Sequence, residues 1–131
     1  MYITLETDYA IRIVDTVARS SERIGAKMIA EKACVTLRFS LKILRKLVAS
    51  GIIRSYKGTQ GGYELGRPLS EISINDILEC IEGPYVLSRC VRKDSKCTFT
   101  GDKRCPYHYL FEHISHHVQS QLQAVTLDKI I

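Results

Sequence analysis

Apolar residues recur at helical spacing from the start of the chain. Tyr9, Ala10, Ile13, Val14 and Val17 step by three and four, which makes one stripe of a helix. Glu22 to Gly25 is a polar break, and Ala26 to Cys34 reads as a short second helix with Met28, Ile29 and Ala33 available for packing. Thr36 fits an N-cap for a third helix running from about Leu37 to Ser50. Its expected buried stripe is Phe39, Ile43, Leu44, Leu47 and Val48, and Gly51 can end it in the left-handed conformation. Two short β-prone runs follow, 52–56 and 63–65, with three glycines between them. Ser73 to Asp76 has the form of a capping box and opens a helix ending near Gly83-Pro84, with Ile74, Ile77, Leu78 and Ile81 inward. Residues 84–105 have no clean period. From Pro106, Leu110, Ile114, Val118 and Leu122 step by four, with Phe111 and Val125 beside them. About eighteen residues of helix span roughly 27 Å.

The pattern predicts a mainly α chain with a small β-hairpin. Three segments follow: 1–83, an irregular 84–105, and 106–131 with the long helix. At 131 residues, with 45% hydrophobic and 25% charged residues, the composition is that of one globular domain. No apolar run approaches the ~18 residues of a membrane span, and the first residues lack a secretory pattern. A cytoplasmic protein without a membrane partner is expected.

Charge sharpens the picture. The net +5 is uneven: residues 1–68 hold twelve Lys/Arg against six Asp/Glu, and residues 69–131 hold seven against eight. From Lys32 to Tyr63 there are seven cations and no carboxylate. Such a segment suits a polyanion, nucleic acid or an acidic membrane, with a solvated basic face as the rival reading. Helix, turn, helix with cations on the outer face of the second helix is a DNA-binding arrangement. Arg38 and Lys42 share a face and can reach bases or phosphates together, while Arg45 and Lys46 lie further along toward the backbone. A hairpin directly after the reading helix is a wing, with Lys57 at its polar tip. A plain three-helix bundle is the rival reading, and a phosphate-cradling loop a weaker one, since no Gly-Lys-Ser/Thr follows the glycines.

The cysteines divide in two. Cys34 and Cys80 fall at expected core-facing helical positions. Cys90, Cys97 and Cys105 are separated by six and seven residues, and His108 follows one helical turn after Cys105. An odd count in a cytoplasmic chain argues against a disulfide framework. Soft thiolates with an imidazole suit zinc or an iron–sulfur cluster, and the wide gaps favour the larger object. Arg89, Arg92, Lys93, Lys96, Lys103 and Arg104 flank them, against Asp94 and Asp102, and nearby cations favour thiolates. Cys105 also precedes a helix N-terminus. His113, His116 and His117 on the last helix read as solvated or interface residues.

Three features together resemble the IscR/NsrR type of bacterial winged-helix transcription regulators, over essentially the full length. They are the helix from Thr36-Leu37-Arg38-Phe39-Ser40-Leu41-Lys42 to Gly51, the wing Lys57-Gly58-Thr59-Gln60-Gly61-Gly62-Tyr63-Glu64-Leu65, and the cysteine loop feeding a long helix. The resemblance implies a homodimer built on the last helix and binding near-palindromic double-stranded DNA. DNA-reading positions carry over to Thr36, Arg38, Phe39, Lys42 and Lys57. It implies a [2Fe–2S] or [4Fe–4S] cluster on Cys90, Cys97 and Cys105, reporting iron–sulfur, redox or nitric oxide status. The fourth ligand falls on His108, or on Asp8 reaching from the partner subunit. The loop spacing of six and seven departs from the usual five and five. The alternatives are a cluster-free or zinc-stabilised regulator answering a small molecule or partner protein, and an enzyme using Cys105 with His108.

Overall fold

The computed structural model describes residues 3–100 and 105–131. Among these described residues, five helices and one hairpin run in the order α1 (Leu5–Arg19), α2 (Ala26–Ala33), α3 (Leu37–Ala49), β1 (Ile53–Tyr56), β2 (Gly62–Leu65), α4 (Ile74–Glu82) and α5 (Pro106–Ala124). Single 3-10 turns lie at Leu69–Glu71, Arg89–Val91 and Leu127–Lys129. The fold is the expected winged helix-turn-helix with a long C-terminal helix. None of the described helices is long and apolar enough to cross a membrane.

Local signals start and stop the elements. The Thr4 hydroxyl accepts from the Thr7 amide to cap α1, and Thr36 accepts from Phe39 to cap α3. The capping box of α4 is complete: Ser73 accepts from the Asp76 amide at 3.0 Å, and the Asp76 carboxylate accepts from the Ser73 amide at 2.8 Å. Gly51 follows α3 at φ 79°. The strands pair antiparallel with Ile53 opposite Leu65 and Tyr56 opposite Gly62.

The core forms where the helical stripes meet. Ala10, Ile13, Val14, Ile29, Ile43, Leu44, Leu47, Ile72 and Ile77 are fully buried. α1 lies at the centre and touches α2, α3, α4 and β2. A polar tie supplements this packing. Glu82, ending α4, accepts at Oε1 from the Thr4 amide at 3.2 Å, the Thr4 hydroxyl at 2.7 Å and the Thr7 hydroxyl. The carboxylate thus meets one amide and two hydroxyls at the start of α1, where negative charge is favoured.

Three inward assignments change. Met28 is exposed on α2, whose buried face is formed by Ile29, Ala30 and Ala33. Phe39 is 45% exposed and Ser40 is fully buried in its place. Ser40 lies three and four residues before Ile43 and Leu44, so it shares their face, whereas Phe39 is rotated about 100° off it. Cys34 is exposed: it ends α2 in the left-handed conformation, φ 55°, and that reversal turns its side chain outward while Val35 takes the buried place. Cys80 is half-buried against the core, its Sγ 3.4 Å from the Lys46 carbonyl oxygen.

α5 packs on α4. Of its described residues Ser115 alone is buried. Leu110 is exposed, and Phe111, Ile114, Val118 and Leu122 are half-buried.

Ser73→Ala removes one half of the capping box. It should lower the unfolding free energy by about 1 kcal/mol in urea denaturation.

Candidate nucleic-acid interface and cysteine loop

The cap at Thr36 aims the start of α3 outward. Thr36, Arg38, Phe39, Lys42 and Arg45 are exposed on one side of the helix, while Ile43, Leu44 and Leu47 hold the other side in the core. The fold therefore brings four of the expected DNA-reading positions, Thr36, Arg38, Phe39 and Lys42, to one surface. The fifth, Lys57, is exposed at the start of the wing tip immediately after β1.

Phe39 is held by its neighbours. Its ring meets Tyr9 of α1 edge-on, centroids 6.0 Å apart. The Lys42 ammonium lies 5.9 Å from the Phe39 centroid, and the Arg12 guanidinium 5.5 Å from that of Tyr9. An exposed aromatic ring can contact a thymine methyl, and the flanking cations can meet phosphates.

Sequence spacing gave no hint of Glu6. Its Oε1 lies 2.6 Å from the Lys46 ammonium and 3.7 Å from that of Lys42. These partners are some forty positions away, so no local pattern could show them. Lys46 is thereby drawn toward α1, whereas Arg38, Arg45 and Lys57 make no ion pair among the described residues. The Lys46 hydrogen bond, with the charges of Lys46 and Lys42, outweighs desolvation and holds the Glu6 carboxyl below its ordinary value.

The cysteine loop lies along α5. The Arg89–Val91 turn packs on this helix, the Leu87 amide donates to the Ser115 hydroxyl at 2.8 Å, and Gln119 donates to the Tyr85 carbonyl. Cys90 is half-buried, its Sγ 3.3 Å from the Ser88 hydroxyl. Cys97 is exposed, and its Sγ accepts from the Thr100 amide at 3.4 Å. Cys105 is buried at the N-cap of α5. His108 is half-buried, edge-on to Tyr109 at 6.0 Å. Asp8 pairs with Arg12 at 2.8 Å.

Three thiols and an imidazole are a donor set used by iron–sulfur and zinc sites. Among the described residues, no three His, Cys, Asp or Glu side chains stand together as a metal-holding group. Asp102, Lys103 and Arg104, expected beside the cysteines, lie outside the described residues. His113, His116 and His117 are exposed.

A model of the Rrf2 family, described as iron-dependent transcriptional regulators, matches residues 3–131. The chain belongs to the Rrf2 family. It is 36% identical over 91 residues to a Mycobacterium tuberculosis protein classed by inference as an HTH-type transcriptional regulator. That match covers 68% of this chain and only 56% of the M. tuberculosis protein. It is 26% identical over 133 residues to the HTH-type transcriptional regulator IscR of Pectobacterium atrosepticum, covering 100% of this chain and 79% of that one. Among solved structures, CymR, the global cysteine regulator of B. subtilis, aligns with a TM-score of 0.75 at 21% identity over 99% of this chain and 95% of CymR. T. potens IscR also gives 0.75, at 20% identity over 99% of this chain and 85% of that one. At those identities the likeness is one of fold. The named relatives are regulators, not enzymes, so the Cys105–His108 enzyme reading is set aside.

The Glu6 contacts carry a pH signature. Its folded pKa lies below the ordinary 4.5, so its stabilisation is complete above that pH and is lost as pH falls through the folded value. Glu6→Gln should cost no more than about 1 kcal/mol near neutrality, since the pair is partly solvated. The gap from the parent protein should narrow in urea denaturation as the pH is lowered below 4.5.

Proposed function

We propose that this Rrf2 chain is a DNA-binding transcription regulator that acts as a homodimer and senses iron–sulfur, redox or nitric oxide status through an iron–sulfur cluster on its cysteine loop. One observation carries the DNA reading: the core fixes one side of α3 and leaves Arg38, Phe39 and Lys42 outward, with the wing and Lys57 beyond its far end. A DNA target also implies a cytoplasmic site of action.

Residues 1–83 read DNA, 84–105 hold the cluster and 106–131 join the two copies. The half-exposed apolar side chains of α5 suit pairing with a second copy. Two reading helices would then address half-sites roughly 34–36 Å apart in a near-palindromic operator.

Cys90, Cys97 and Cys105 are the proposed thiolate ligands, with His108 as the fourth and Asp8 of the partner subunit as its alternative. The family description as iron-dependent and the full-length match to an IscR support this reading. When bound, such a cluster supplies chemistry sensitive to electron transfer and to nitric oxide. Cys105 stands at the N-cap of α5, where the helix dipole favours a thiolate. A ligand of the loop alters DNA affinity only by as much as it prefers one arrangement of loop and helix over another. The second reading, a cluster-free or zinc-stabilised regulator answering a small molecule or partner protein, draws on the same donor set and on the separation of those donors among the described residues.

Arg38→Ala should weaken binding to a selected operator by ~1–3 kcal/mol and relax base preference at one position. Lys57→Ala should weaken binding to all sequences and lower the salt slope by about one. The opposite pattern in titrations over a salt series would exchange the two roles. Anaerobically purified protein should carry iron and acid-labile sulfide, and Cys97→Ala should carry neither while keeping its helical circular dichroism. Zinc alone in the parent protein would favour the second reading, and an iron-loaded Cys97→Ala would remove this residue from the ligand set.

A further inference from the structure

We propose that Arg23 is a positioning residue for DNA binding, clamping the wing onto the connector between α1 and α2 and so setting where Lys57 stands. This rests on the reading that the wing touches DNA.

One side chain grips three parts of the hairpin. The Arg23 guanidinium carbon lies 3.4 Å from the ring centroid of Tyr56, the last residue of β1. Its Nε is 3.5 Å from Oε2 of Glu64 in β2. Its Nη1 donates to the carbonyl of Gln60, within the tip, at 3.3 Å. A planar guanidinium can stack and hydrogen-bond at once, which a lysine ammonium cannot. The Glu64 carboxyl is held below its ordinary value, first by the Tyr56 hydroxyl and then, against desolvation, by the charge of Arg23.

The backbone beside Arg23 follows the same path. The Ile24 amide donates to the Tyr63 carbonyl at 3.0 Å, and the Tyr63 amide to the Ile24 carbonyl at 2.9 Å. The connector thus lies along β2 as a single bridge of a third strand. Gly62 permits the approach: a Cβ there would stand 3.0 Å from the Ile24 carbonyl oxygen, and its φ of 132° favours glycine.

The wing needs such a hold. Two strands of four residues make a hairpin that is marginal by itself. A tip left to wander would have to be ordered when DNA binds, at a cost in affinity. Arg23 is partly exposed, and one exposed ion pair contributes little. The combination of stack, ion pair and tip hydrogen bond distinguishes this site.

The test is a double-mutant cycle in the full chain, on a duplex that the parent protein selects from a random-sequence pool. Arg23→Ala should weaken binding by roughly threefold to tenfold, and Arg23→Lys should not restore it. On a Lys57→Ala background, Arg23→Ala should add little and leave the salt slope unchanged. Tyr56→Leu removes the stacking platform from the other side and should give the same non-additivity, which covers the case in which Arg23→Ala folds poorly. Full binding by Arg23→Ala, or full rescue by Arg23→Lys, overturns the clamp. A further drop in salt slope on the Lys57→Ala background also overturns it, and makes Arg23 a phosphate contact instead. If Lys57→Ala alone has no effect, the wing-contact reading fails first and takes the clamp with it.

Discussion

The burial of one side of α1 is the constraint on which the rest of this molecule depends. Ala10, Ile13 and Val14 are wholly inaccessible, and the helix touches α2, α3, α4 and the second strand of the wing. Each large side chain so buried contributes roughly 1.5–3 kcal/mol. The same helix fixes function-bearing groups on its margins: Tyr9 meets Phe39, Glu6 meets Lys42 and Lys46, and the Thr4–Thr7 turn receives Glu82. The reading surface is therefore built by two helices, with Arg38, Lys42 and Arg45 exposed on α3 and Arg12 on α1.

Two carboxylates serve as joints around that hub. Glu82 ties α4 to the first turn of α1, and Glu6 ties α1 to α3. Both lie near the α1 N-terminus, where unpaired amides make negative charge favourable. One end of α1 thus collects polar links from two other helices, while its middle supplies the apolar contact.

Much of this architecture is legible in the chain because its signals are local. The stripe from Tyr9 to Val17, the Thr36 cap, the Ser73–Asp76 box and Gly51 each act within about one helical turn. Phe39 and Cys34 were harder to place because hydrophobic character alone does not say on which side of a helix, or of a turn, a residue falls. Ser40, a small polar residue, shares the face of Ile43 and Leu44, and Phe39 is left outside. The roles of Glu6 and Arg23 depend on partners distant in sequence, Lys46 and Glu64 respectively, so they emerge only once the helices and hairpin are assembled. The cysteine loop has no repeating pattern, and its residue types reveal a donor set but not an arrangement.

The C-terminal end of α5 is pinned to the body of the fold. Leu127 is buried, its amide donates to the Ile72 carbonyl at 2.9 Å, and the Ile74 amide donates to the Val125 carbonyl at 2.9 Å. The other end begins at Cys105, nineteen helical residues away. Over a rod of ~28 Å, a 1 Å displacement at the cysteine end is roughly 2° of tilt about the pinned end. The pinned end meets the start of α4, a helix whose later part reaches α3 through Cys80, beside the Lys46 carbonyl. α4 packs on both α5 and α3, so it joins the helix beginning at Cys105 to the helix that carries Arg38 and Lys42.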